Sequence, residues 1–139
     1  MYTGLAAAGT IPFILGALLL LFGYDSLPRL GPLDQLVASY GLAIVCFLAG
    51  AHWGSYLAAR FADTLNLFII SNAIFLAVWL TYVGAGARMA ISTQILAFLA
   101  LLFIDLRLKN NGAISATYFR VRTMATVTVV LSLLIVIAQ

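Results

Sequence analysis

A chain of 139 residues that is 65% hydrophobic and 8% charged, with mean hydropathy +1.15, is not a soluble domain; such domains carry about 25% charged residues to coat a water-facing surface. Seven Lys and Arg against four Asp and Glu leave a net charge of +3, which in so apolar a chain reports on membrane topology and not on nucleic-acid binding. Cys46 is the lone cysteine, so an internal disulfide is excluded and the residue reads as a small packing group.

A hydrocarbon core of ~30 Å takes about 20 apolar residues per helix, and five stretches reach that length. The first spans residues 4–23. No Lys or Arg precedes it and no small-residue cleavage site follows, so it is expected to be retained and not cleaved as a signal. Pro12, with Thr10 beside it, is expected to bend this helix, which a membrane bundle tolerates when neighbours satisfy the freed carbonyl. Residues 24–32, with two prolines and a glycine, read as a turn-rich loop. Asp34 is placed to cap the second helix, expected over 35–59. A tight polar connection at 60–64 leads to the third helix, 65–83, which Gly84-Ala85-Gly86 breaks. The fourth is expected over 88–106, closed by Lys109-Asn110-Asn111-Gly112, whose Asn and Gly suit a C-terminal turn. Ser115 or Thr117 can cap the fifth, 118–137.

The expected fold is therefore an all-α membrane protein, a five-helix transmembrane bundle forming one domain over residues 1–139. A closed barrel is excluded, because spans in lipid must satisfy their own backbone groups and these five cannot close a sheet. No internal repeat is visible, and an odd helix count disfavours an inverted-repeat transporter. With five spans, the N-terminus shares a side with the connections carrying Arg60, Arg107, Lys109, Arg120 and Arg122, against only Arg29 and Arg88 opposite. The bias predicts the N-terminus in and the C-terminus out. Tyr24, Tyr40, Trp79 and Tyr82 near the outer helix ends, and Tyr2, Tyr56 and Tyr118 near the inner ends, read as interfacial aromatic belts.

His52 is the only histidine and lies in Ala49-Gly50-Ala51-His52-Trp53-Gly54-Ser55-Tyr56. Converted to depth at ~1.5 Å per residue, His52, Trp53, Asn72, Asp105, Tyr118 and Arg122 fall in one inner-leaflet layer, with Ser71 and Thr126 at a similar level. Ionisable groups at membrane depth face the bundle or a wet cavity and take partners. Asp105 is within reach of Arg122 across the helix 4–5 hairpin, or of Lys109 four residues on. His52 has Ser71 or Asn72 as candidate partners. Gly50 and Gly54, with Ala58, form a small-residue row suited to close helix packing, within the chain or against a partner. His52 is turned about 200° from Gly50, with Tyr56 on its side, so helix 2 is expected at the centre of the bundle. A single histidine excludes bis-His ligation, so no metal site is expected, and haem would require a partner-supplied ligand.

Gly9-Thr10-Ile11-Pro12-Phe13, Phe47-Leu48-Ala49-Gly50-Ala51-His52-Trp53-Gly54, and Asp105 followed by Tyr118, Arg122 and Thr126 together carry a resemblance. They resemble the G-x-I-P-F, F-L-x-G-x-H-W-G and D-L…W-Y-x-x-L-R-x-x-L-T elements of a family of small five-helix bacterial membrane proteins with an uncharacterised domain, related to mitochondrial transmembrane protein 69. The chain departs from that pattern at Thr117, Val121 and Ala125. The resemblance brings no activity. It implies a bacterial or mitochondrial inner membrane, and marks His52, Trp53, Asp105, Tyr118 and Arg122 for test.

The sequence thus leads to an expected function as a non-catalytic accessory or assembly subunit of a larger respiratory or photosynthetic membrane complex, with no catalytic residues assigned. Its expected partners are membrane lipids and other membrane-protein subunits, not nucleic acid. The alternative is a quinone- or proton-handling protein built on His52, Asp105 and Arg122, for which quinone would be the cofactor. A transporter, dimerised through Gly50 and Gly54, ranks below both, because few polar residues lie outside the inner layer.

Overall fold

The computed structural model describes residues 2–57, 67–110, 112 and 114–139, the side chains of 2, 55–57, 67 and 68 excepted. Five helices are observed: α1 (Tyr2–Leu21), α2 (Leu33–Leu57), α3 (Leu67–Gly84), α4 (Gly86–Asn110) and α5 (Ala116–Ala138). Four of them are long and apolar enough to cross a membrane, and α3 carries a shorter apolar run, Ile69–Gly84. The connection expected at 60–64, and Ala58, lie outside the described residues.

The helix ends refine the expectations. Between α1 and α2, a short hairpin of two-residue strands pairs β1 (Ser26–Leu27) with β2 (Gly31–Pro32), antiparallel, with Ser26 opposite Pro32. Asp34 is not the cap of α2: the helix begins at Leu33, and Asp34 sits in its first turn, where Oδ1 accepts from the Gln35 N–H at 2.8 Å. The fourth helix runs past its expected end to Asn110, because Arg107 and Lys109 are good helix formers that favour the negative C-terminal dipole. Gly112 then makes the turn with φ 79°, its N–H reaching the Lys109 carbonyl at 3.0 Å. Ser115 caps α5 by accepting from the Tyr118 N–H at 3.1 Å.

α2 and α4 form the middle of the bundle, each packed on three other helices, and α4 is the more buried of the two. Some 44% of the α4 span is buried against 33% of α2, and α4 packs on α2, α3 and α5 while α1 closes the bundle against α5 and α2. The reason is visible in the buried stripe of α4, Ile91, Gln94, Phe98, Leu101, Ile104, Asp105 and Leu108, spaced at three and four residues.

Four interior contacts set the distance between α1, α2 and α4. Phe13 meets Tyr40 edge-on at 5.1 Å between centroids and Phe98 at 6.0 Å, a favoured aromatic geometry. Tyr40 also donates its hydroxyl hydrogen to the Gly9 carbonyl at 3.0 Å, so it is an interhelical tether and not part of a belt. Lower in the same seam, fully buried Gln94 donates from Nε2 to the Ala38 carbonyl at 2.7 Å. Gly41 gives the amide its room, since a Cβ there would collide with Gln94 Oε1.

Candidate functional site

Each member of the inner-end site lies on the buried stripe of its own helix. His52 continues Val45 and Ala49 along α2, Asp105 follows Leu101 along α4, and Arg122 precedes Thr126 and Val129 by one helical turn along α5. All three stand within about one and a half turns, ~8 Å, of the helix ends on the side rich in basic residues. Helical spacing thus aims them at the bundle axis at one level.

They meet on Asp105. His52 Nε2 lies 2.9 Å from Oδ1, and Arg122 Nε donates to Oδ2 at 3.0 Å. The side chains are 5%, 4% and 11% exposed for His52, Asp105 and Arg122. An ionised carboxylate only accepts hydrogen bonds, so Nε2 carries the hydrogen that points at Asp105. The guanidinium and the carboxylate sum to zero charge.

Two atoms of this cluster have unmet hydrogen bonds among the described residues: His52 Nδ1 and Arg122 Nη2. Each such group in a dry setting costs ~1–3 kcal/mol. Both residues line one cavity of about 260 Å3, with Asp105, Tyr118 and Ser115 as its other polar walls and Leu48, Ala51, Leu108 and Ile114 as apolar ones. The cluster therefore stands beside a space large enough for a small ring or chain and walled by its own residues.

Residues 1–138 match a protein family described as "Protein of unknown function (DUF3429)". The chain belongs to the DUF3429 family. Comparison with curated proteins and with solved structures finds no match. The family assignment agrees with the uncharacterised-domain family that the sequence motifs resemble.

Of the site residues expected in this DUF3429 chain, the structure brings together His52, Asp105, Tyr118 and Arg122, and separates Trp53 and Asn72 from them. His52 takes Asp105 as its partner, where the sequence offered Ser71 or Asn72. Ser71, Asn72 and Trp53 instead line a second cavity of about 270 Å3 with Cys46, Gly50 and Phe75, on another face of α2. Trp53 is one residue, about 100°, from His52 on the helix and is 42% exposed. Asp105 selects Arg122 over Lys109, whose ammonium lies 5.2 Å from the centroid of the Phe119 ring. Gly50 and Gly54 do not pack inside the described chain: a Cβ on either would meet nothing within 4 Å. Tyr56 belongs to α2, but its side chain lies outside the described residues. Among the described residues, no group of three or more His, Cys, Asp or Glu is placed to hold a metal ion. Sequence reasoning missed Gln94, the Gly41 notch that receives it, and the second role of Ser115, which caps α5 and also walls the site.

Proposed function

We propose that this chain is an integral membrane protein that handles a quinone head group, or its protons, at the His52–Asp105–Arg122 site. The observation that carries the reading is the buried His52–Asp105–Arg122 cluster, whose three residues line one cavity and two of which keep a buried polar atom without a partner among the described residues. Head groups of this kind travel in the bilayer and are recognised by a few polar atoms set in an otherwise apolar pocket. The accessory-subunit reading draws on what the chain lacks, whereas this one draws on a built cluster. The positive-inside bias puts the site near the cytoplasmic or matrix face. The resemblance to a family of small bacterial membrane proteins related to mitochondrial transmembrane protein 69 favours an inner membrane as its setting.

The test is extraction of quinone from the protein purified from its native membranes in mild detergent. Near-stoichiometric quinone is expected from the wild type, and little from His52→Ala and His52→Gln at unchanged protein level. If both variants disappear from the membrane, His52 is a packing residue and the proposal fails.

A second reading, the accessory or assembly subunit of a larger respiratory or photosynthetic complex, is favoured by one specific observation. A Cβ on Gly50 or Gly54 of α2 would meet no described atom within 4 Å, although Gly50 walls a cavity with Ser71, Asn72 and Phe75 of α3, and Phe47 beside the row is 72% exposed. Small-residue rows of this kind let a second helix approach closely in lipid. Stoichiometric co-purification with such a complex in mild detergent is its expected outcome, and a protein that runs alone removes it.

A further inference from the structure

The end of the bundle opposite the His52 site carries a separate cavity of about 330 Å3, where the hairpin and the starts of α2 and α4 meet the end of α5. Asp25, Asp34 and Arg88 are its charged walls, and Leu20, Ile91 and Ile137 are apolar ones. Arg88 and Asp105 stand near opposite ends of α4, about 25 Å apart along its axis. In a bilayer with a hydrocarbon core of ~30 Å, the cavity therefore falls at the head-group level of the other leaflet. We propose that it binds the head group of phosphatidylethanolamine, with the phosphate at Arg88 and the ammonium at Asp25 and Asp34.

The argument starts from charges of both signs that share a cavity without closing on each other. Among the described residues, no ion pair within 4.0 Å joins Arg88 to Asp25 or Asp34. The backbone holds the two carboxylates on one side. Leu33, the first residue of α2, donates its N–H to the Asp25 carbonyl at 2.9 Å, and Asp34 follows it. Arg88 lies in the first turn of α4, which has no acidic residue and where the helix dipole favours an anion. A lone cation would meet the guanidinium, and a lone anion would meet two carboxylates. A molecule carrying both charges satisfies both walls. A choline head group lacks N–H donors and is recognised by aromatic faces, and none of the described residues walling this cavity is aromatic. A primary ammonium has three N–H donors and serves two carboxylates. Glycerol head groups bring the phosphate but no cation. The apolar walls, with Ile91 only 1% exposed, suit the first carbons of a lipid better than a free phosphoethanolamine. The three charged residues are exposed, which leaves them open to a head group arriving from the membrane.

The experiment is native mass spectrometry of the full-length protein in mild detergent, titrated with dioleoyl phosphatidylethanolamine, phosphatidylcholine and phosphatidylglycerol. Binding at this site is the part lost in Arg88→Gln, which separates it from lipid held by the basic residues at the other end. Phosphatidylethanolamine is expected to bind at least about tenfold more tightly than the other two, the difference made by a charge-assisted hydrogen bond. In Asp25→Ala/Asp34→Ala it should fall to the level of phosphatidylcholine, which itself changes little. Excess soluble phosphoethanolamine should leave the bound lipid in place. Equal retention of the three lipids, a preference that survives the double variant, or binding unaffected by Arg88→Gln would each overturn the proposal. Displacement by phosphoethanolamine at a concentration equal to that of the lipid would overturn the lipid as ligand in favour of a free zwitterion. Should a variant fail to fold, the wild-type ranking of the three lipids decides the matter.

Discussion

His52 and Asp105 lie 53 residues apart in the chain and are joined by a 2.9 Å contact between buried side chains. The contact crosses from α2 to α4, helices that are not consecutive, and it is extended to α5 by Arg122. A single carboxylate therefore ties three helices at the inner end of the bundle. It also commits Nε2 of the histidine to Asp105.

That arrangement predicts an asymmetric mutational response. Asp105→Leu leaves the Arg122 guanidinium buried without its counter-ion and should destabilise the protein by ~3–5 kcal/mol. Arg122→Leu should do the same through the carboxylate. The double variant Asp105→Leu/Arg122→Leu removes both charges and should recover most of the loss, since apolar replacements of a buried pair are often neutral. Lys109→Ala, whose ammonium is placed over the Phe119 ring, should cost less than ~1 kcal/mol. Thermal unfolding in detergent, monitored by retained monodispersity, measures all four. Single losses that simply add in the double variant would show that the two groups do not act as a pair.

Gly41 and Gln94 predict a second pattern. A Cβ at position 41 collides with the buried Gln94 amide, so Gly41→Ala should destabilise by ~1–3 kcal/mol through overpacking. Shortening the opposing side chain restores the room, and Gly41→Ala/Gln94→Ala should lie closer to Gln94→Ala alone than additivity allows. The same unfolding measurement read as a double-mutant cycle checks it.

How far the site was legible follows from what each kind of pattern encodes. Apolar run length gave the helices, and the hairpin between α4 and α5 gave Asp105 opposite Arg122, because consecutive antiparallel helices are neighbours. Depth along the helix put His52 at the same level. Level is not face, however, and Trp53, one residue on, shares the depth of His52 while pointing elsewhere. The partner of His52 was missed because the packing of α2 on α4 is a property of the whole bundle, and no local pattern specifies it. Gln94 was missed for a related reason. Its partner is the Ala38 carbonyl, and a backbone acceptor has no sequence signature. The single glutamine in the middle of the fourth apolar run was the signal available for it. α2 does pack on α1, α3 and α4, but the contacts that place it there are not made through the glycine row.

Topology gives a third prediction. With the N-terminus inside, the β-hairpin that carries Leu30 faces outward and the end of α4 at Asn110 faces inward; both residues are exposed. In a Cys46→Ala background, Leu30→Cys should react with a membrane-impermeant maleimide in intact cells or organelles. Asn110→Cys should react only after the membrane is opened. The reverse pattern would invert the orientation and place the His52 site at the opposite face.

The uncovered row on α2 separates stability from association. A methyl group on Gly50 or Gly54 meets no described atom within 4 Å, so Gly50→Ala and Gly54→Ala remove no internal contact. Alanine is also favoured over glycine in a helix interior by roughly 0.5–1 kcal/mol. Both variants should therefore unfold at or slightly above the wild-type temperature, in contrast to Gly41→Ala on the same helix. Were the row an interface with another subunit, larger replacements such as Gly50→Leu and Gly54→Leu would hold helices apart and abolish co-purification while the isolated protein stayed folded. Unfolding temperature and subunit recovery, measured on the same preparations, are the two readouts. A fall in stability for the alanine variants would mean that the row packs within the chain after all. Unchanged stability with unchanged recovery would leave it as plain lipid-facing surface and remove the observation on which the accessory-subunit reading stands.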